Sequence, residues 1–180
     1  MRNQERFRRT AGALLAGGIL VAGLALAGSA GAADDGALQA SATLQDPTGN
    51  EIGFAKLTED ATGTVHVNVK VEGLAPGLHG VHIHAVGACA PTFAAAGGHH
   101  NPTGGTHGSH AGDLPNMAVN AAGRGSLNTT TDHATLSAGP LTVFDLDGSA
   151  LVIHAGEDDL VTDPTGNSGA RVACGVIVSG

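Results

Sequence analysis

An all-β fold, a sandwich or barrel of short strands, is what the sequence predicts, on three observations. Thr64-Val65-His66-Val67-Asn68-Val69-Lys70-Val71 alternates strictly, so that Val65, Val67, Val69 and Val71 share one face of a strand. Short apolar runs are punctuated by Gly, Asn, Asp and Pro along the whole chain. No segment beyond the N-terminal leader keeps an apolar period of 3.6 over three turns.

Taken in order, residues 1–32 are expected to be a secretory signal peptide. Arg2, Arg6, Arg8 and Arg9 form a basic head, Ala11 to Ala27 is an uninterrupted small and aliphatic run, and Ala30-Gly31-Ala32 offers a small-residue cleavage site. The run is short and weak in Leu and Ile for a membrane anchor, which needs about 20 apolar residues. Arg8-Arg9 is a weak hint of twin-arginine export. Residues 33–180 then form one domain, with a first strand from Ala37 to Leu44 and a second from Thr64 to Val71. A strand is expected within "GLHGVHIHAVGAC", Gly77 to Cys89, and Leu141 to Leu146 and Ala150 to His154 flank Asp147-Gly148, a hairpin signal. Arg171 to Val178 closes the domain. "DPTGN" at Asp46–Asn50 and Asp163–Asn167, and "NPTGG" at 101–105, read as three uses of one turn chemistry, with Pro fixing an early φ and Gly supplying a later positive one.

Charge excludes some partners. The leader carries four of the eight basic residues and one of the sixteen acidic ones, so the domain keeps four against fifteen and its formal charge falls from −8 to −11. Such a surface repels nucleic acid and anionic lipid. Trp and Tyr are absent, which leaves no base-stacking platform. Two cysteines far apart in an exported chain, Cys89 and Cys174, suggest one disulfide, the alternative being two buried thiols.

Two stretches lack strand pattern, roughly Ala85 to Asn116 and Ala155 to Ala170, and long loops in a compact domain are usually functional. Histidines gather in and beside the first. In "GLHGVHIHAVGAC", His82 and His84 are two apart and share a strand face, while His79, Val81 and Ile83 point the other way. His154 repeats the layout at the end of "ALVIH". His79, on the core face, is expected to be a hydrogen-bonded structural residue. In "HHNPTGGTHGSHAGD", His99, His107, His110 and Asp113 offer three imidazoles and a carboxylate, a donor set that suits zinc, and imidazole also suits copper. The last three are each three apart, so one tight turn, made sterically cheap by Gly104, Gly105, Gly108 and Gly112, brings them to one side.

Together "GLHGVHIHAVGAC", "GGHHNP", "HAGDLPN", "ALVIHAGEDD" and "GNSGARVACGVI" resemble the copper,zinc superoxide dismutases, in particular the exported bacterial type. The resemblance covers nearly all of the domain and implies an eight-stranded Greek-key barrel or sandwich with two long functional loops. It implies dismutation of superoxide to dioxygen and hydrogen peroxide by a redox-cycling copper bridged through a histidine to zinc, one of each per chain. It assigns His82, His84, His99 and His154 to copper, and His99, His107, His110 and Asp113 to zinc, with His99 as the bridge and proton carrier. Asp158 would tie His82 to His107, Arg171 would guide the anionic substrate, and Cys89 and Cys174 would pair. His66, His100 and His133 match nothing in the pattern. The implied partner is superoxide, with no nucleic acid, no membrane after leader removal, a periplasmic or extracellular location, and a homodimer left open.

Two departures stand out. The stretch between the second and third zinc residues, "HGSH", is shorter than the family's usual loop. The loop from His154 to Arg171 carries Glu157, Asp158, Asp159 and Asp163 and no lysine, where many members attract substrate with lysines. An exported copper or zinc carrier on the same fold, without turnover, is the main rival, and a relative that has lost its metals is the second. A carrier needs neither a bridging histidine nor an anion guide, and no ligand of the pattern is missing.

Overall fold

The computed structural model describes residues 37–180; the expected signal peptide and its arginines lie outside the described residues. Nine strands run β1 (Leu38–Gln45), β2 (Glu51–Glu59), β3 (Val65–Val71), β4 (Gly77–His84), β5 (Asp113–Val119), β6 (Gly125–Thr131), β7 (Ala150–His154), β8 (Arg171–Val176) and β9 (Val178–Ser179), with one 3-10 turn at Phe93–Ala96. The order is β2-β3-β6-β5-β4-β7-β8-β1-β9, and β1 also pairs with β2. That last pairing closes the eight long strands into an antiparallel barrel. The expected closing strand is interrupted at Ile177, after which β9 pairs with β1 through Ala40↔Ser179 and Ser41↔Val178. The β3–β4 and β6–β7 connections each cross neighbouring strands, which makes the topology Greek-key.

The barrel is two four-stranded halves joined by thin seams. β1, β2, β3 and β6 form one half through long ladders, seven residue pairs each for β2–β3 and β3–β6. β4, β5, β7 and β8 form the other. The seams are Val119↔Gly125 between β5 and β6, and Gln45↔Cys174 with the β9 pairs between β1 and the second half. The core between the halves follows the alternation: Val65, Val67, Val69 and Val71 are buried, and they meet Ala42, Leu44, Leu57, Val81, Ile83, Met117, Leu151 and Ile153. Burial of each large aliphatic side chain contributes roughly 1.5–3 kcal/mol.

Three hairpin turns share one design. Asp46 accepts the amides of Thr48 and Asn50 at 2.8 and 3.0 Å, Asp60 those of Thr62 and Thr64, and Asn120 those of Ala122 and Arg124. The fourth residue, Gly49, Gly63 or Gly123, has φ between +76° and +86°, a conformation that favours glycine.

One sequence expectation fails here. Leu141 to Leu146 is not a strand, and no hairpin forms at Asp147-Gly148. The reason is edge occupancy: β7 already pairs with β4 on one side and β8 on the other, so no ladder position remains. Residues 132–149 are instead a third long loop, pinned by the buried carboxylate of Glu59, which accepts the amides of Leu136 (2.5 Å) and Ser137 (2.7 Å) and the Ser137 hydroxyl (2.6 Å). The first long loop is also shorter than expected, because β5 begins at Asp113.

Candidate metal centre

Strand β4 presents His82 and His84, both fully buried, and β7 presents His154 beside them through the pairs His82↔Val152 and Val81↔Ile153. The loops are brought to β4 by a closed cycle of three main-chain bonds. The His100 amide donates to Ile83 O, the Ile83 amide to Gly112 O, and the Gly112 amide to His100 O, each at 2.8 Å. Each member of the cycle is next in sequence to a candidate ligand: Ile83 to His82 and His84, His100 to His99, Gly112 to Asp113. Position 112 tolerates only glycine, since a Cβ there would overlap Ile83 O and come within 3.1 Å of the His100 amide. His100 thus serves through its backbone and joins neither donor set.

Seven side chains converge into two groups that share His99. Ligand atoms of His82, His84, His99 and His154 lie within 4.8 Å of one another, as do those of His99, His107, His110 and Asp113. In the second group Asp113 Oδ1 is 2.8 Å from His99 Nδ1 and 3.4 Å from both His107 Nδ1 and His110 Nδ1, and His110 Nδ1 is 3.4 Å from His99 Nδ1. Donors about 2.0–2.1 Å from a tetrahedral ion stand roughly 3.3 Å apart, so most of these edges fit zinc. In the first group His84 Nε2 and His154 Nε2 are also 3.4 Å apart.

Hydrogen bonds select which nitrogen of each ring faces inward. His84 Nδ1 donates to Gly97 O (3.0 Å) and His154 Nδ1 to Gly169 O (3.1 Å), which leaves both Nε2 atoms free. Asp158 receives His82 Nε2 at 2.5 Å on one oxygen and His107 Nε2 at 2.8 Å on the other. Three buried nitrogens then have no hydrogen-bond partner among the described residues: His82 Nδ1, His99 Nε2 and His107 Nδ1. A buried polar atom without a partner costs about 1–3 kcal/mol, and each of these three belongs to a residue of one of the groups. The residues therefore fit a pair of metal ions: four imidazoles for copper, and three imidazoles with a carboxylate for zinc.

Electrostatics agree with that donor set. Burial pushes the His84 imidazole down to about 2, with Arg171, His99 and His154 adding to the effect, and burial lowers His82 and His154 as well. In all three the shift favours the neutral imidazole, the form that ligates metal. Burial opposes ionisation of Asp158, but bonds from His107 and His82 outweigh it and hold the carboxyl below its usual range. Asp113 is likewise held low, its bond to His99 and the charges of His107 and His110 prevailing over burial.

Arg171 stands opposite His154 in the β7–β8 ladder. Its Nη1 and Nη2 donate to Phe93 O and Gly97 O at 2.5 Å, and it lines one concavity with His99, Asn101, His110 and Thr165. The loop that supplies those carbonyls is tied to β8 by the Cys89–Cys174 disulfide. His79 is buried, its nitrogens 2.6 Å from His154 O and 2.8 Å from Ala75 O, the structural part expected of it. His66 and His133 lie on the surface beside Asp60 and Asp132.

Sequence reasoning missed two residues. Asn116 on β5 grips the main chain of Asp158 from both sides, Nδ2 donating to its carbonyl and Oδ1 accepting its amide, each at 2.8 Å. Gly166 (φ +61°) packs on the Asp158–His107 bond, where any Cβ would overlap the carboxylate. The only local signal was the placement of Asn116 three residues after Asp113 in "HAGDLPN", which spacing alone does not make functional.

Known proteins resemble this chain over most of its length. The family model described as copper/zinc superoxide dismutase (SODC) matches residues 51–177. A copper-zinc superoxide dismutase of Aquifex aeolicus is 41% identical over 149 residues, covering 78% of this chain and 86% of that protein. The superoxide dismutase-like protein YojM of Bacillus subtilis is 38% identical over 139 residues, with 72% and 71% covered. Among solved structures, a superoxide dismutase-like protein from Bacillus subtilis superposes with a TM-score of 0.73 at 35% identity, covering 77% of this chain and 97% of that one.

Proposed function

The chain belongs to the copper/zinc superoxide dismutase family, and from that premise we propose that it dismutes superoxide to dioxygen and hydrogen peroxide. His82, His84, His99 and His154 would hold copper, and His99, His107, His110 and Asp113 zinc. The observation that carries this reading is His99: it belongs to both groups, its Nδ1 lies 2.8 Å from Asp113 Oδ1, and its Nε2 is buried without a hydrogen-bond partner among the described residues.

Copper, when bound, supplies the one-electron couple by which one superoxide is oxidised and a second reduced. The protein's residues do the rest. Two superoxide anions and two protons give one dioxygen and one hydrogen peroxide, so protons must reach the reduced product. The Nε2 of His99 is the atom suited to holding one between the two half-reactions. Burial favours the neutral, ligating form of His82, His84 and His154. Arg171 keeps its charge at any working pH and its two main-chain anchors aim it into the concavity that His99 lines. Asp158 joins the two groups from behind and fixes which nitrogen each ring presents. Export to an oxidising compartment, periplasmic or extracellular, is consistent with the disulfide.

Superoxide-dismutase-like relatives keep one alternative in view, a metal carrier without turnover. Superoxide consumption by protein loaded with copper and zinc separates the two. An enzyme removes many superoxide ions per copper. A carrier removes no more than one, and that result would overturn the proposal.

A further inference from the structure

The pentapeptide Asp-Pro-Thr-Gly-Asn occurs twice, and its two aspartates behave differently. Asp46 caps its own turn, accepting the amides of Thr48 and Asn50. In the related segment 101–105, Asn101 does the same, accepting the Gly105 amide at 2.9 Å. Asp163 makes no such bond among the described residues. Its turn is held by other groups: the Gly166 amide donates to Thr162 O, the Ser168 amide to Thr165 O, and the Asn167 side chain to Asp159. Asp163 Oδ1 instead accepts the His107 amide at 2.6 Å, across 56 positions of sequence, and stands 4.0 Å from His110 Nε2.

The His107 amide is the one that needs an outside partner. Within 107–113 the other ligand-bearing residues satisfy their amides locally, His110 to Asp113 Oδ2 and Asp113 to His110 O, while Gly108 also donates to Asp113 Oδ2. His107 is therefore gripped twice by the 155–170 loop, at its main chain by Asp163 and at Nε2 by Asp158, and its Nδ1 is left 3.4 Å from Asp113 Oδ1.

We propose that Asp163 is a positioning residue of the zinc half of the centre: its carboxylate latches the His107 main chain, so that the loop carrying Arg171's approach also sets how firmly zinc is held. This rests on the reading that His99, His107, His110 and Asp113 bind zinc. Without the latch the ring stays tethered through Asp158, so zinc still binds but its donor set opens more readily.

The test compares wild type, Asp163→Ala, Asp163→Asn and Asp46→Ala as full-length protein loaded with copper and zinc. Zinc release to a chelator, the visible bands of cobalt(II) substituted for zinc, and exchange of the His107 amide in metal-free protein are the readouts. Asp163→Ala is expected to release zinc about tenfold faster, to shift the cobalt bands and to lose protection at the His107 amide. Asp163→Asn keeps an oxygen acceptor and restores all three. Asp46→Ala lowers the melting temperature and changes none of them. Wild-type release rates in Asp163→Ala, or equal acceleration in Asp46→Ala, overturn this proposal alone. A wild type that takes up no zinc overturns the zinc reading and this proposal with it.

Discussion

Arg171 and His154 are cross-strand partners, and the main chain of one side of their ladder ends in the all-imidazole group while the other starts at the guanidinium. The cation and the last imidazole are thus held in one register by backbone pairing. Replacing either side chain leaves that pairing intact. His154→Ala should therefore fold, because Leu151 and Ile153 supply the packing of β7 and the His154 carbonyl still receives His79. It should lose copper and nearly all dismutase activity. An active His154→Ala protein with normal copper spectra would remove the residue from the site.

Arg171→Glu should slow the reaction by about tenfold or more, since charge focusing in a cleft changes anion capture by 10–1000-fold. Ionic strength gives the companion measurement. The other basic side chains among the described residues, Lys56, Lys70 and Arg124, lie on β2, on β3 and before β6, in the half that carries no donor. The loop beside Arg171 holds Glu157, Asp158, Asp159 and Asp163. Screening of a repulsive far field, with a Debye length of about 10 Å at 0.1 M salt, should leave the rate level or raise it. A steep fall with added salt would show that local attraction governs capture.

Asp113→Ala should lose zinc and, with it, thermal stability. An ion bound only by the native state stabilises it by about 4 kcal/mol at a thousandfold excess over its Kd. Metal-free wild type and metal-free Asp113→Ala should melt much closer together than the zinc-treated pair. Equal zinc content in both would place the ion elsewhere.

Glu59 supplies a pH dependence distant from the metals. Burial opposes its ionisation, but the Ser137 and Leu136 bonds prevail and hold the carboxyl below the usual range for a glutamate. A carboxyl lowered on folding stabilises the native state above its unfolded value and loses that contribution as pH falls through the folded one. Glu59→Gln should cost about 1–3 kcal/mol at neutral pH, and the difference in melting temperature from wild type should shrink steadily below about pH 4. A gap that stays constant down to pH 2 would contradict this account.

The legible parts of the sequence were those where one physical demand dominates. β3 declared itself because four valines must all face the core. The histidines of β4 and β7 declared themselves because no packing demand accounts for them. β2 was hidden: its buried positions are Ala55, Leu57 and a glutamate. β5 carries Pro115, and β6, Gly-Ser-Leu-Asn-Thr-Thr-Thr, looks like a turn. Their strand state comes from partners supplied across the barrel, which no local pattern encodes. Leu141 to Leu146 erred in the other direction, having strand composition and no free edge to join. Asn116 and Asp163 act on residues 42 and 56 positions away, distances over which only the folded chain connects them.

The division of the barrel into a donor-bearing half and a plain half has a practical side. The chain contains only two lysines, Lys56 and Lys70, both exposed and both on neighbouring strands of the plain half. Amine-directed chemistry on the folded domain therefore has, apart from its N-terminus, a single patch to attack. A support, a polymer or a dye attached there would grip the molecule by the half that holds none of the metal donors and leave the mouth beside Arg171 open to solvent.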